Sequence, residues 1–217
     1  MSSNNETALK VAEFLLQIKA VKLQPAKPFT WASGLKSPIY CDNRVTLSYP
    51  NIRTFIRQQF SKLIEEYFTK PDIIVGVATG GIAQGVLVAQ DLGLPFAYVR
   101  PQAKEHGMKN QIEGNIEKGQ SAIVIEDLIS TGKSSLSAVD ALLNSGIKIN
   151  GMAAIFTYGF TETEETFSNK KIKLFTLTNY DTLIEQALKS NYIQLKDLES
   201  LKEWRKDPKK WSKKHHD

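Results

Sequence analysis

The stretch Ile123-Val124-Ile125-Glu126-Asp127-Leu128-Ile129-Ser130-Thr131-Gly132-Lys133-Ser134-Ser135 decides how the rest of the chain is read. Its first three residues are apolar and β-branched, the composition of a strand buried on both faces of a parallel sheet. Two adjacent carboxylates, Glu126 and Asp127, end that strand, where the ligands of open α/β sheets collect. A loop of hydroxyls and one glycine follows and opens straight into a helix. The N–H groups from Ser130 to Ser134 lack partners at such a helix start, so they can hold a phosphate.

Gly132-Lys133-Ser134 also matches the end of a P-loop. The first glycine of that pattern falls on Asp127, however, and a carboxylate there repels the triphosphate that the loop wraps. A plain strand and helix, with Ser130 or Thr131 as N-cap, accounts for the hydroxyls but not for the paired acids at the end of an apolar run.

An apolar run, two acids, two more apolar residues and then hydroxyl-hydroxyl-glycine resembles the phosphoribosyl pyrophosphate (PRPP) motif of type I phosphoribosyltransferases. The resemblance implies that Glu126 and Asp127 hold the ribose hydroxyls of PRPP. It implies also that Leu128, Ile129, Ser130, Thr131, Gly132, Lys133 and Ser134 complete the site around the 5′-phosphate. The motif names the donor and leaves the acceptor base open.

Bulk properties narrow the class. The chain has 217 residues, enough for one ordinary domain with an adequate core. At 41% hydrophobic and 24% charged, its composition is that of a globular protein in water, and no apolar run approaches the length of a membrane span. The polar start, Met1 to Glu6, lacks the apolar core of a signal peptide. One cysteine, Cys41, excludes an intramolecular disulfide framework and fits a reducing compartment, so the expected location is cytoplasmic. The net charge of +5 lies mostly in the segment from Lys202 to Asp217, expected to be a solvated basic end. Neither a nucleic-acid-binding motif nor a basic stripe with interleaved aromatics is present, and neither nucleic acid nor membrane is expected as a partner.

Along the chain, Ala8, Val11, Ala12, Leu15 and Ile18 have helical spacing, which predicts a helix over residues 4–20. The turn-rich segment from Phe29 to Arg44 reads as short strands and turns forming a flap outside the main sheet. A second helix begins near Ser48-Tyr49-Pro50, with Ile52, Phe55, Ile56, Leu63, Ile64 and Tyr67 on one face. Strands and helices then alternate as in βαβ units. Strands are expected at residues 72–78, 95–100, 151–158 and 171–177 besides the motif strand. Helices are expected from Gly80-Gly81 to Leu92, over residues 133–145, 181–189 and 196–205. The whole is read as one α/β domain, with a helix and flap to about residue 48, a core sheet over about 70–180, and C-terminal helices with a basic tail after 181.

Two further stretches bear on chemistry. The small residues of Ala78-Thr79-Gly80-Gly81 form a strand-to-helix turn at which backbone N–H groups can approach an anion, although the spacing is not that of a dinucleotide binder. Between Pro101 and Gly119 lies a long polar, glycine-containing segment. Arg100, Lys104 and His106 are cations or can become so, suited to closing over a departing pyrophosphate and excluding water.

The order Arg100, Ala103-Lys104, His106-Gly107, continued by Gln111-Ile112-Glu113-Gly114, resembles the catalytic loop of orotate phosphoribosyltransferases. The flap, with Phe29-Thr30-Trp31-Ala32-Ser33-Gly34 and Ser37-Pro38-Ile39-Tyr40, is similar to the N-terminal hood of that family, which covers the base. This resemblance implies the type I phosphoribosyltransferase fold, a central mostly parallel sheet flanked by helices. It implies PRPP and orotate as substrates, Mg²⁺ as cofactor held through PRPP and water with no protein metal ligand, and a homodimer whose catalytic loop reaches the neighbouring subunit. Lys104, His106 and Asp127 are the implied catalytic residues, Arg100, Lys104 and His106 join the PRPP site, and Ser130 neighbours orotate. A purine-base phosphoribosyltransferase, or a PRPP-binding regulator of nucleotide synthesis, is the alternative. The sequence departs from part of the family at Ala32 and Gly80, where lysines stand in several members, at Pro101 after Arg100, and at Tyr158-Gly159, where some have an arginine.

Overall fold

The computed structural model describes residues 4–31, 33–101 and 111–215. Helix α1 (Asn5–Gln17) is capped by Asn4, whose side chain accepts from the Thr7 amide, and it buries Ala8, Val11, Ala12, Leu15 and Leu16. The flap consists of four short strands, β1 (Val21–Leu23), β2 (Phe29–Thr30), β3 (Lys36–Ser37) and β4 (Ile39–Cys41), paired β1 with β4 and β2 with β3, both antiparallel. A 3-10 segment, Asn43–Ser48, leads into α2 (Pro50–Tyr67), with proline in its first turn. Phe60 joins the buried face of α2, whereas Tyr67 at its end is exposed.

The main sheet is built from β5 (Ile73–Val77), β6 (Phe96–Val99), β7 (Ile112–Glu113), β8 (Ser121–Ile129), β9 (Lys148–Thr157) and β10 (Leu174–Asn179). Its spatial order is β10-β9-β8-β5-β6-β7, and every pairing is parallel except that of β7 with β6. Between its strands lie α3 (Gly80–Leu92), α4 (Lys133–Asn144) and α5 (Thr161–Asn169). After β10 come α6 (Tyr180–Lys189), α7 (Leu198–Lys206) and α8 (Pro208–Lys214). Two apolar layers sandwich the sheet. One joins Ile123 and Ile125 to α1, α2, α3 and α6; the other joins Val124 and Ile129 to Leu136, Val139 and Leu142 of α4 and Phe167 of α5. The apolar run at 123–125 is buried on both sides, which is why it carries no polar alternation.

Several features differ from the sequence expectation, among them strand β7 inside the segment read as a polar loop. Strand β8 does not stop at the acids but runs on to Ile129, because Leu128 and Ile129 continue the ladder with Phe156 and Thr157 of β9. Helix α5 was not anticipated: it buries only Thr163 and Phe167, so it shows no apolar stripe. The basic end is not simply solvated either. Lys209, Lys210, Lys213 and Lys214 are exposed, but Trp211 and Ser212 of α8 are buried. The Ser212 hydroxyl accepts the Lys36 amide of the flap at 2.9 Å, and the Trp211 indole donates to Ser200. Trp204 of α7 stands at the centre of an aromatic cluster with Trp31, Tyr158, Phe160 and Tyr180, which carries the flap onto the end of β9.

Candidate active site

From β5 the chain steps to β6 on one side, and from β8 it steps to β9 and β10 on the other. The crevice between the ends of β5 and β8 is therefore the topological switch point, the place where open α/β sheets bind ligands. A polar cavity of about 430 Å³ lies there. Its walls are the hood residues Cys41, Asp42 and Arg44, the turn Ala78–Gly80 after β5, the acids Glu126 and Asp127 with Leu128, and the loop Ser130–Gly132 with Ser134. A slightly larger cavity, about 470 Å³, lies by Gly159, Asp181 and Arg205 and contains none of the motif residues.

The two acids have different surroundings. Glu126 is buried at 5% exposure; the Ser135 hydroxyl donates to its Oε2 at 3.1 Å and the Asp127 amide to its Oε1 at 3.1 Å. Burial, and after it the charge of Asp127, pushes the Glu126 carboxyl up to about 9, so it carries a proton at neutral pH. A protonated Glu126 can donate a hydrogen bond as well as accept one. Asp127 is only half-buried and lies against the turn after β5. A Cβ placed on Gly80 would overlap the Asp127 carboxyl, and one on Gly81 would overlap the Ile125 carbonyl. Glycine at both positions lets α3 start directly on top of β8.

The loop after β8 is held from behind. Gly132 has a positive φ of 74°, and a Cβ on it would meet the Phe167 ring at 2.8 Å. The Thr163 hydroxyl donates to the Ser130 carbonyl at 2.9 Å. Helix α5 thus braces the loop through Thr163 and Phe167. Neither Ser130 nor Thr131 serves as N-cap, in keeping with the rejection of a plain capped helix: the residue before α4 is Gly132, and no side chain caps the helix. Its first N–H groups are therefore left without a side-chain cap, next to the cavity-lining residues Gly132 and Ser134, as an anion site requires.

The hood is tied to the motif by Asn43, which the sequence reading missed. Asn43 is buried, and its Nδ2 donates to the Asp127 carbonyl at 2.6 Å while its Oδ1 lies 3.3 Å from the Cys41 thiol. Its own carbonyl accepts from Thr46 Oγ1 at 2.6 Å. An asparagine in a turn-rich run reads as a turn residue, and nothing in its spacing marks it as buried. Burial, then the charges of Asp127 and Asp42, push the Cys41 thiol well up, which makes it a poor nucleophile.

The expected site residues are only partly brought together. Glu126, Asp127, Leu128, Ser130, Thr131, Gly132 and Ser134 line one cavity. The Ile129 side chain is buried in the apolar layer toward α4, and Lys133 is exposed outside the cavity lining. Arg100 is held at the sheet edge, with its amide donating to the Gln111 carbonyl at 2.8 Å and its Nη1 3.5 Å from Glu113. Lys104 and His106 lie outside the described residues.

Residues 47–184 match the family described as phosphoribosyl transferase domain. An orotate phosphoribosyltransferase of Bacteroides thetaiotaomicron is 56% identical over 92% of this chain and 94% of its own length. The chain belongs to the orotate phosphoribosyltransferase family. A relative of that name from Listeria monocytogenes is 55% identical over 94% of this chain and 98% of its own. The orotate phosphoribosyltransferase structure from Aeropyrum pernix shares the fold with a TM-score of 0.73 and 25% identity, covering 85% of this chain and 99% of that one. Against this family, the departure at Gly80 has a physical counterpart: the Asp127 carboxyl fills the space a side chain would take. At Tyr158-Gly159 the tyrosine is buried, and the nearest arginine, Arg205, is committed to Asp181 and the Gly159 carbonyl.

Proposed function

We propose that this member of the family works by placing PRPP across the β5/β8 crevice and the base under the hood. The reaction joins orotate to the ribose of PRPP, giving orotidine 5′-monophosphate and pyrophosphate in pyrimidine (UMP) synthesis. The observation that carries it is the meeting of two acids, a glycine turn, an uncapped helix start and the hood in one polar cavity.

Bond making and breaking at C1′ needs no protein nucleophile. Positive charge grows on the ribose ring as pyrophosphate leaves, so positioning and electrostatics carry the catalysis. Asp127 is the half-buried acid placed to hold a ribose hydroxyl and to favour that charge. Glu126, protonated and fixed by Ser135, donates to or accepts from the neighbouring oxygen. The amides from Ser130 to Ser134 hold the 5′-phosphate, Ser130 also neighbours the base, and the Thr79-Gly80 turn meets the pyrophosphate. Arg100, Lys104 and His106 close over the leaving group. Carboxylate and hydroxyl oxygens suit Mg²⁺, a hard cation. The ion would be carried by PRPP oxygens and water, as the resemblance to the family implies. When bound, it draws charge off the leaving pyrophosphate.

The working form is a homodimer with the Lys104 loop shared across subunits, and the compartment is the cytoplasm. No helix among the described residues is long and apolar enough to cross a membrane. The test is to incubate pure protein with Mg²⁺, PRPP and orotate and follow the loss of orotate absorbance. Turnover with adenine, hypoxanthine or guanine but not with orotate would overturn the assignment.

A further inference from the structure

The cavity that is to receive two anionic substrates is itself poor in positive charge. Asp42, Glu126 and Asp127 line it, and among the described residues its only cationic side chain is Arg44. Of the other cations near the hood and the motif, Lys36 Nζ donates to Thr30, Arg100 lies against Glu113, Arg205 is bound to Asp181 and Gly159, and Lys133 is exposed outside the cavity lining.

Arg44 follows β4 on the hood wall of the cavity. Its guanidinium is already engaged by a carboxylate. Nε lies 2.7 Å from Asp42 Oδ1 and Nη2 2.9 Å from Asp42 Oδ2, the two parallel bonds of a bidentate fork. The pair is accessible, with the Arg44 side chain 58% exposed. An exposed pair of this kind is only weakly held, so exchange of its carboxylate is cheap. Asp42 does not depend on Arg44's guanidinium for its place, since it also accepts the Arg44 amide at 3.2 Å as the cap of the 3-10 segment.

We propose that Arg44 is a specificity residue for the acceptor: its guanidinium leaves Asp42 and takes the carboxylate of the orotate base in the same bidentate manner. Asp42 then serves as a stand-in for that carboxylate in the free protein, keeping the fork oriented toward the cavity. The inference rests on the functional assignment above and adds the group that reads the carboxylate. The same fork could instead take a phosphate oxygen of PRPP, and the two ligands separate in steady-state kinetics.

The experiment compares wild type, Arg44→Gln and Arg44→Lys in the orotate assay, titrating orotate and PRPP separately. Loss of a bidentate charge-assisted contact should raise KM for orotate by about 10- to 100-fold in Arg44→Gln, with KM for PRPP and the melting temperature unchanged. Arg44→Lys, which keeps the charge but not the fork, should fall between the two. A rise confined to KM for PRPP would make Arg44 a donor ligand and overturn the inference, as would unchanged constants for both substrates. Absence of orotate turnover by the wild type would refute the assignment of function instead.

Discussion

Glu126→Gln isolates the protonation state on which the acid pair depends. The Glu126 carboxyl is raised to about 9 by burial and by Asp127, against an ordinary 4.5. Between these values the unfolded chain has lost the proton that the folded chain keeps, so the folded state binds one proton more. Stability from this group is therefore fully present below about 4.5 and is lost as pH rises toward 9. The slope is about −1.4 kcal/mol per pH unit for one proton. From pH 6 to pH 8 the wild type should thus lose about 2.7 kcal/mol relative to Glu126→Gln, which has no proton to lose. For a chain of this size that corresponds to roughly 5–11 °C in melting temperature. Glutamine keeps the shape and can still meet the Ser135 hydroxyl and the Asp127 amide, so the difference reports titration rather than lost packing. The assay is thermal unfolding of both proteins at several pH values across this interval. Curves that run parallel from pH 6 to pH 8 would refute the reasoning, because they would mean that Glu126 is ionised in the folded protein throughout.

Other outcomes follow from the geometry. Gly80→Ala places a methyl group where the Asp127 carboxyl sits, and kcat/KM should fall by about 10²-fold or more, as for loss of a preorganised group; wild-type kinetics would show that Asp127 is not needed in that place. Trp211→Ala removes the buried indole that seats α8 on α7 through Ser200 and should cost about 3–5 kcal/mol, read by denaturant unfolding. The orotate KM should rise with it as β3 loses its Ser212 contact. Lys104→Ala should lower kcat far more than it weakens PRPP binding, because its target charge grows mainly in the transition state. If the loop acts across subunits, mixing Lys104→Ala with Asp127→Asn should restore part of the activity, and no recovery would assign each loop to its own subunit.

Much of the site was legible from sequence because it is built from contiguous residues. Strand, acids, loop and helix start occupy one run from Ile123 to Ser135, and the cavity is lined by most of that run. The limits of β8 were less legible, since whether Leu128 and Ile129 continue a strand depends on Phe156 and Thr157 in the neighbouring strand. Helix α5 was not legible at all, because two buried side chains in nine residues give no period to detect.

By itself, then, the amino-acid sequence determined the α/β alternation, the buried strand that ends near two acids, and the local chemistry of a phosphate loop. Local spacing and residue type are enough for these. Only the tertiary structure decided that Asn43 ties the hood to the Asp127 carbonyl and that Arg44 stands in the cavity. It alone decided that Glu126 is buried, with its carboxyl pushed well up, while Asp127 stays half-buried beside it, and that a lysine-rich tail anchors the hood through Ser212. Each of these depends on residues tens to well over a hundred positions apart, or on how much water a packed neighbour excludes, and neither is written in the spacing of a single stretch.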